Sequence, residues 1–219
     1  MNEQVTLIRP IPGKTGRPTR EIAVRRQEEL LERALEMFSE HGFELTTIDA
    51  IAGSLNMTKR TIYARYKDKA ALFEAAVKRA IERWFIPLET LRDADTGQLE
   101  TTLRAIGRIR LANNLSSEGV RLQRIVTAEA FRFPEVYRSY DEASATAIHF
   151  LVEVFDKYRE QERGEWFADS ALAATAFLSI VNAPARRATL SGHAPKATVL
   201  DGYVEKAVGL FLNGLRPRA

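Results

Sequence analysis

The sequence contains no cysteine. That absence excludes a disulfide scaffold, a thiolate zinc site, an iron–sulfur cluster and a cysteine nucleophile, and it suits a reducing cytoplasm. Long apolar runs are also missing. The most apolar window, Ala171 to Ala185, is broken by Thr175, Ser179 and Asn182 and then meets Arg186-Arg187. It falls short of the roughly 18 unbroken apolar residues that would suggest a membrane span. The opening residues MNEQVTLIRPIPG lack a basic segment leading into an apolar one, so no secretory leader is expected. No hairpin built on Asn-Gly or Asp-Gly and no sustained period of two is found, which argues against strands.

Signals for catalysis are equally sparse. No Gly-x-Ser-x-Gly elbow occurs, so the strained nucleophile turn that it builds is not expected. The three histidines, His41, His149 and His193, are far apart, and no helix carries a pair at metal-ligand spacing. His149 lies in an apolar stretch and is expected to be a hydrogen-bonded core residue. Gly13-Lys14-Thr15 has the ending of a phosphate-binding loop, but Ile8 stands where that motif needs glycine. No catalytic, metal or cofactor site is expected.

What is present is ordinary for a globular chain. Of 219 residues, 45% are hydrophobic and 28% charged. A length near 1.5 times the roughly 150 residues of a typical domain allows one or two domains. Net charge is only +3, but its distribution is uneven. Arg9 to Arg26 holds six basic residues against one acid, and Asn56 to Lys69 holds five against one. Between them, Gln27 to Ile51 holds seven acids and one base. If folding brings the two basic blocks to one face, that face attracts a polyanion.

Helical periodicity runs through the chain. Residues 1–19 contain Pro10, Pro12, Gly13, Gly16 and Pro18 and read as an extended, mobile arm. A helix starts near residues 19–21, with Leu31, Ala34, Leu35 and Phe38 as its apolar stripe. It ends at His41-Gly42, where Gly42 suits a left-handed terminus. Thr46 with Asp49 has capping-box spacing for a short second helix carrying Ile48, Ile51, Ala52 and Leu55. Thr58 suits the cap of a third, from Lys59 to Tyr66. A fourth runs from about Lys69 to Pro87. Further helices are predicted at about 98–113, 117–131, 134–162, 169–190 and 196–214. Ser116 or Ser117 suits one cap and Asp169 another.

Residues 46–66 thus describe two short helices joined by a three-residue turn. That is the helix-turn-helix arrangement, whose second helix enters the major groove of DNA. At about 100° per residue, Ile62 and Tyr66 point toward the core. Arg60, Thr61 and Ala64 point away, with Arg65 and Lys67 at the edges of that outer face and Lys59 and Tyr63 flanking the buried stripe. Arg60 and Thr61 suit base edges, and Ala64 lets the helix lie close to the groove floor. Thr47, Tyr63, Lys67 and Lys69 suit phosphates, Arg65 suits either, and Thr58 and Lys59 complete the expected DNA-binding set. Singly, each has a plainer explanation: packing for the tyrosines, a solvated face for the lysines. Together, in one segment of the right helix lengths, they favour DNA. In the arm, Arg17 suits a narrow minor groove, with a solubilising tail as the equal alternative.

The stretch ALEMFSEHGFELTTIDAIAGSLNMTKRTIYARYKDKAALFEAAV, residues 34–77, resembles the N-terminal domain of TetR-type transcriptional repressors. The matching features are Phe38, Gly42, Phe43, Thr46-Thr47-Ile48, Ile51-Ala52, Thr58, Thr61-Ile62-Tyr63, Tyr66, Lys69 and Leu72-Phe73. Two positions depart from the pattern. Asn56 stands where the family usually has glycine, and asparagine tolerates left-handed geometry. Tyr66 stands where phenylalanine is usual. The resemblance implies an all-α homodimer: three N-terminal helices for DNA, and a larger helical domain that binds a small molecule and dimerises through its last two long helices. It implies a fourth helix that moves when ligand binds. Residues 129–135, EAFRFPE, also look like a segment found in many members.

The expected organisation is an arm at 1–19, a helix-turn-helix DNA-binding domain at 20–67 and an effector-binding and dimerisation domain at 68–219. Aromatic and polar candidates for the pocket include Trp84, Phe85, Arg132, Phe133, His149, Phe155, Trp166 and Phe177, most of them expected in the core; the effector-binding residues themselves stay unknown. In the C-terminal helix, Leu200, Val204, Phe211 and Leu215 form one apolar stripe and Tyr203, Ala207 and Leu210 a second, which suits contact with another chain. The expected function is a cytoplasmic, ligand-released repressor that is not an enzyme and has no membrane partner. Three alternatives stay open: an activator or dual regulator of the same fold, a helical ligand-converting enzyme, and a nonspecific architectural DNA-binding protein.

Overall fold

The computed structural model describes residues 20–162, 169–193, 195–200 and 202–215. Among them are twelve helices and no strand. They are α1 (Arg20–Leu45), α2 (Ile48–Ser54), α3 (Lys59–Tyr63), α4 (Lys69–Trp84), α5 (Leu88–Arg92), α6 (Leu99–Leu115), α7 (Ser117–Glu129), α8 (Pro134–Glu162), α9 (Ser170–Val181), α10 (Ala183–Ser191), α11 (Ala197–Leu200) and α12 (Tyr203–Leu215). None of the described helices is long and apolar enough to cross a membrane. The arm with Arg17, and Trp166, lie outside the described residues.

Side-chain caps fix five of the helix starts. Thr47, Thr58, Asp68, Ser116 and Asp169 each accept a backbone N–H from the first turn that follows, satisfying donors that have no partner within the helix. The expected cap Thr46 is displaced by its neighbour. Its hydroxyl donates instead to the carbonyls of Met37 (3.0 Å) and Gly42 (2.8 Å), and the residue is buried. Gly42, inside α1, has φ 76° and ψ 168°, so the helix is kinked there through an extended, glycine-favouring conformation rather than ended by the left-handed helical one.

Other boundaries shift for local reasons. α3 ends at Tyr63, and the Arg65 and Tyr66 amides both donate to the Ile62 carbonyl, tightening the last turn. The helix expected over 169–190 divides at Asn182, with Pro184 in the first turn of α10. The last helix likewise divides into α11 and α12 around Gly202, which has φ 61°. The short α5 lies where none was expected. At the sharp α6–α7 junction, a Cβ on Gly119 would come within 2.4 Å of the Asn113 carbonyl oxygen, so only glycine fits there.

Two apolar cores result. One joins α1–α4 to Leu122, Ile125 and Val126 of α7 and to Phe133 and Val136 at the start of α8. The other gathers α5, α6, the later part of α8, α9 and α12. Within the first core, Phe38, Phe43, Phe73 and Phe133 form an aromatic cluster with ring centroids 4.5–5.8 Å apart. Beside the second core, Asp95 before α6 accepts from Tyr158 Oη (2.6 Å) and Lys157 Nζ (2.5 Å) of α8. Those contacts hold its carboxyl well below the usual carboxylate range. His149 is exposed rather than in the core, because α8 turns Ala147 and Phe150 inward on either side of it. Val204, Ala207, Val208 and Phe211 of α12 all face the core, which leaves Leu210 as the exposed member of the expected second stripe.

Candidate nucleic-acid interface

The helix-turn-helix is held from within by Ile48, Ile51, Ala52 and Ile62, all buried. Asn56 takes φ 51° in the turn, and the next residue, Met57, donates to the Ala52 carbonyl at 2.9 Å. The left-handed conformation that glycine would supply is met by asparagine. Thr58 then starts α3, accepting from Thr61 N at 3.2 Å. Tyr66 packs against the core half-buried; its hydroxyl lies 3.4 Å from Gln27 Nε2, and burial pushes its phenol up.

With Ile62 anchored, the remaining side chains of α3 face outward. Lys59, Arg60, Thr61, Tyr63, Ala64 and Arg65 are all exposed. The side chains of Arg60 and Lys67 have no ion-pair or hydrogen-bond partner among the described residues, while Lys59 meets Asp49 of α2 at 2.7 Å. Arg65 donates to Gln27 Oε1 at 3.3 Å, which brings the start of α1 beside the end of α3. Thr47 and Thr58 are exposed caps, and the Thr58 and Thr61 hydroxyls lie 2.9 Å apart. Lys69 differs from the rest. Its ammonium contacts the carbonyl oxygens of Phe43 (2.8 Å), Thr46 (3.0 Å) and Glu44 (3.2 Å) and sits 4.4 Å from the Phe43 ring. All three ammonium protons are engaged, so Lys69 clasps the end of α1.

The acidic block between the basic ones is turned to other elements. Glu28 meets Arg79 at 2.6 Å, Glu32 meets Arg83 at 3.7 Å, and Glu36 meets Arg33 and Arg121 at 3.0 and 3.8 Å. Glu44 pairs with Arg132, which also lies over the Phe43 ring. Three of the seven acids in that block, Glu28, Glu32 and Glu36, thus neutralise cations of α4 and α7, while Asp49 meets Lys59 of α3 itself.

A second site opens in the larger part of the molecule. A cavity of about 480 Å³ lies among α4, α6, α7, α8, α9 and α10, within the usual range of small-molecule pockets. Of the aromatic candidates, Trp84 borders it and Tyr140 stacks on that indole at 5.6 Å. Phe133, Phe155 and Phe177 are packed in the cores, and Arg132 faces Glu44. The cavity residue that sequence reading passed over is Arg110. Its signal was its register: Leu99, Leu103, Ile106, Arg110 and Asn114 share one buried face of α6, and two of those five are polar.

Residues 30–76 match the family described as bacterial regulatory proteins, tetR family. Residues 101–214 match the AefR-like transcriptional repressor C-terminal domain. An HTH-type transcriptional regulator of Mycobacterium tuberculosis is 36% identical over 93 residues, 37% of this chain and 46% of that protein. The chain therefore spans about half the length of the curated relatives it matches. A TetR-family regulator from Mesorhizobium loti superposes with a TM-score of 0.74 at 21% identity, covering 90% of this chain and 98% of that one. The flavonoid-responsive regulator FrrA superposes at 0.63 with 27% identity, over 89% of this chain and 100% of its own. With the C-terminal family match alone spanning half of its length, the chain belongs to the TetR family of bacterial regulatory proteins.

Proposed function

We propose that this chain is a cytoplasmic transcriptional repressor that binds a palindromic operator as a homodimer and is released by a small-molecule effector. The observation that carries the DNA reading is the outer face of α3. Arg60, Thr61 and Ala64 stand exposed behind a fully buried Ile62, and no acid competes for Arg60. Arg60 and Thr61 are assigned to base edges. Thr47, Tyr63 and Lys67 are assigned to phosphates, Arg65 to either, and Thr58 and Lys59 to the margin of the same contact. Arg17 is assigned to the minor groove.

Three further features support the reading. Leu172 of α9, Leu190 of α10 and Leu210 of α12 are 66–71% exposed, as suits helices that bury their outer faces against a second copy. Two α3 helices related by a two-fold axis then call for a two-fold-symmetric site. The cavity and the family match of residues 101–214 to a repressor domain support effector control. Effector and operator must weaken each other's binding equally, typically by about 1–3 kcal/mol.

The test is selection of bound sequences from a random DNA pool at near-physiological salt, using the full chain. An enriched palindrome is the expected result, with dimer mass in solution. Failure of an active dimer to enrich any sequence would overturn the operator reading in favour of nonspecific binding.

A further inference from the structure

We infer that the cavity between α6 and α8 receives an organic monoanion, an aromatic carboxylate, whose charge is taken up by Arg110. The inference deepens the effector reading above and rests on it. Arg110 is only 7% exposed, and it lies on the cavity wall. Its Nε has no hydrogen-bond partner, and no ion pair to it exists among the described residues. A buried cation without a counterion is costly, and in exchange for its hydration Arg110 has only the Trp84 ring, 5.9 Å from its Cζ. A ligand carboxylate supplies what is missing, since a guanidinium offers it two parallel N–H donors.

The rest of the wall narrows the choice. No aspartate or glutamate lines the cavity, and a second cation, Arg186, does. A cationic ligand would therefore meet repulsion. Tyr140 cannot serve as an internal counterion, since burial pushes its phenol up and keeps it protonated. The Trp84 and Tyr140 rings, stacked within 18° of parallel, border the cavity together with Val126, Ile148 and Leu178, an aromatic and aliphatic wall suited to an aromatic body. Asn114 Oδ1 is also buried without a donor and can accept from a ligand hydroxyl.

The experiment titrates the full chain with trans-cinnamate and 2-naphthoate, with their neutral amides, and with cinnamyltrimethylammonium. The signal is Trp84 fluorescence in a Trp166→Phe background. Saturable binding of the acids is expected, with the amides weaker by roughly tenfold to a hundredfold, the span of a charged hydrogen bond. Arg110→Gln should bring the acids down to the level of the amides while leaving the amides unchanged. Circular dichroism checks that this variant folds, and the acid-to-amide ratio of the parent chain needs no variant at all. Equal binding of acid and amide, preference for the cation, or no saturable binding of either acid would overturn the inference. Release of the selected operator, followed separately by anisotropy, keeps the two readings apart. An acid that binds at Arg110 without releasing DNA sinks effector release and leaves the anion site standing. A neutral compound that releases DNA from the cavity does the reverse.

Discussion

The helix-turn-helix end and the cavity end of this molecule treat their polar groups in opposite ways. Around α1–α3, the threonines at 46, 47 and 58, Asp68 and Lys69 each close a backbone donor or acceptor. None of the buried side-chain atoms left without a partner lies in α1–α3. Around the cavity, Trp84 Nε1, Arg110 Nε and Asn114 Oδ1 are all left open. Buried polar atoms are normally satisfied, so the contrast separates a unit finished by its own chain from one completed by something else.

The comparison can be broken from the packed side first. Phe133→Ala removes the ring through which α8 joins the aromatic cluster, and should cost about 3–5 kcal/mol in a denaturant melt. A loss confined to a few tenths would mean that the two ends are not packed as one. Lys69→Met should cost about 1–3 kcal/mol of stability by orphaning three carbonyls. Because Lys69 is a clasp, it should leave the salt dependence of DNA binding unchanged; a slope smaller by about one would make it a phosphate contact.

Two smaller effects sharpen the contrast. Arg60→Ala should weaken operator binding by about 1–3 kcal/mol and relax one base position, while moving stability by less than about 0.5 kcal/mol, as expected for an unpaired exposed side chain. Equal loss on random DNA would move Arg60 from base to phosphate. Asp95→Asn should cost about 1 kcal/mol at neutral pH. Lys157 and Tyr158 depress the Asp95 pKa in the fold, so its contribution is complete above the unfolded value near 3.9 and fades as pH falls toward the folded one. The deficit of the variant should therefore be flat down to about pH 4 and shrink below it. A deficit unchanged at lower pH would assign it to shape rather than charge.

The DNA-facing end was legible because its determinants are local. Thr58, Ile62 and Tyr66 lie within one short segment, and their spacing alone sets which side faces in. Asn56 shows the same: the turn needs a residue that tolerates positive φ, and asparagine does. Thr46 was misread because either of two adjacent threonines can cap, and the choice was made by a tertiary contact to Met37 O. The cavity was not legible, because Trp84, Arg110 and Tyr140 come from three helices. Periodicity marks each as inward-facing without saying whether inward is solid or hollow. His149 was misplaced because an apolar neighbourhood in sequence does not fix which side of a long helix a residue takes.

The length of α8 has a mechanical consequence. Its 29 residues make a rod of about 43 Å. Phe150, Leu151, Val154 and Phe155 seat its later half in the second core, while Phe133 and Val136 at its start sit in the first. Tyr137, Tyr140, Ser144 and Ile148, between those seats, line the cavity. With its later half held, the rod would act as a lever about residue 152, its tip about 27 Å away. A ligand that tilted it by about 5° would swing that tip about 2 Å, and shifts of 0.5–1 Å already forfeit about a quarter to a half of a van der Waals contact. At that arm's length, a guest too small to be felt in the bulk of the protein would have enough travel to unseat the ring that rests on Phe43 and Phe73.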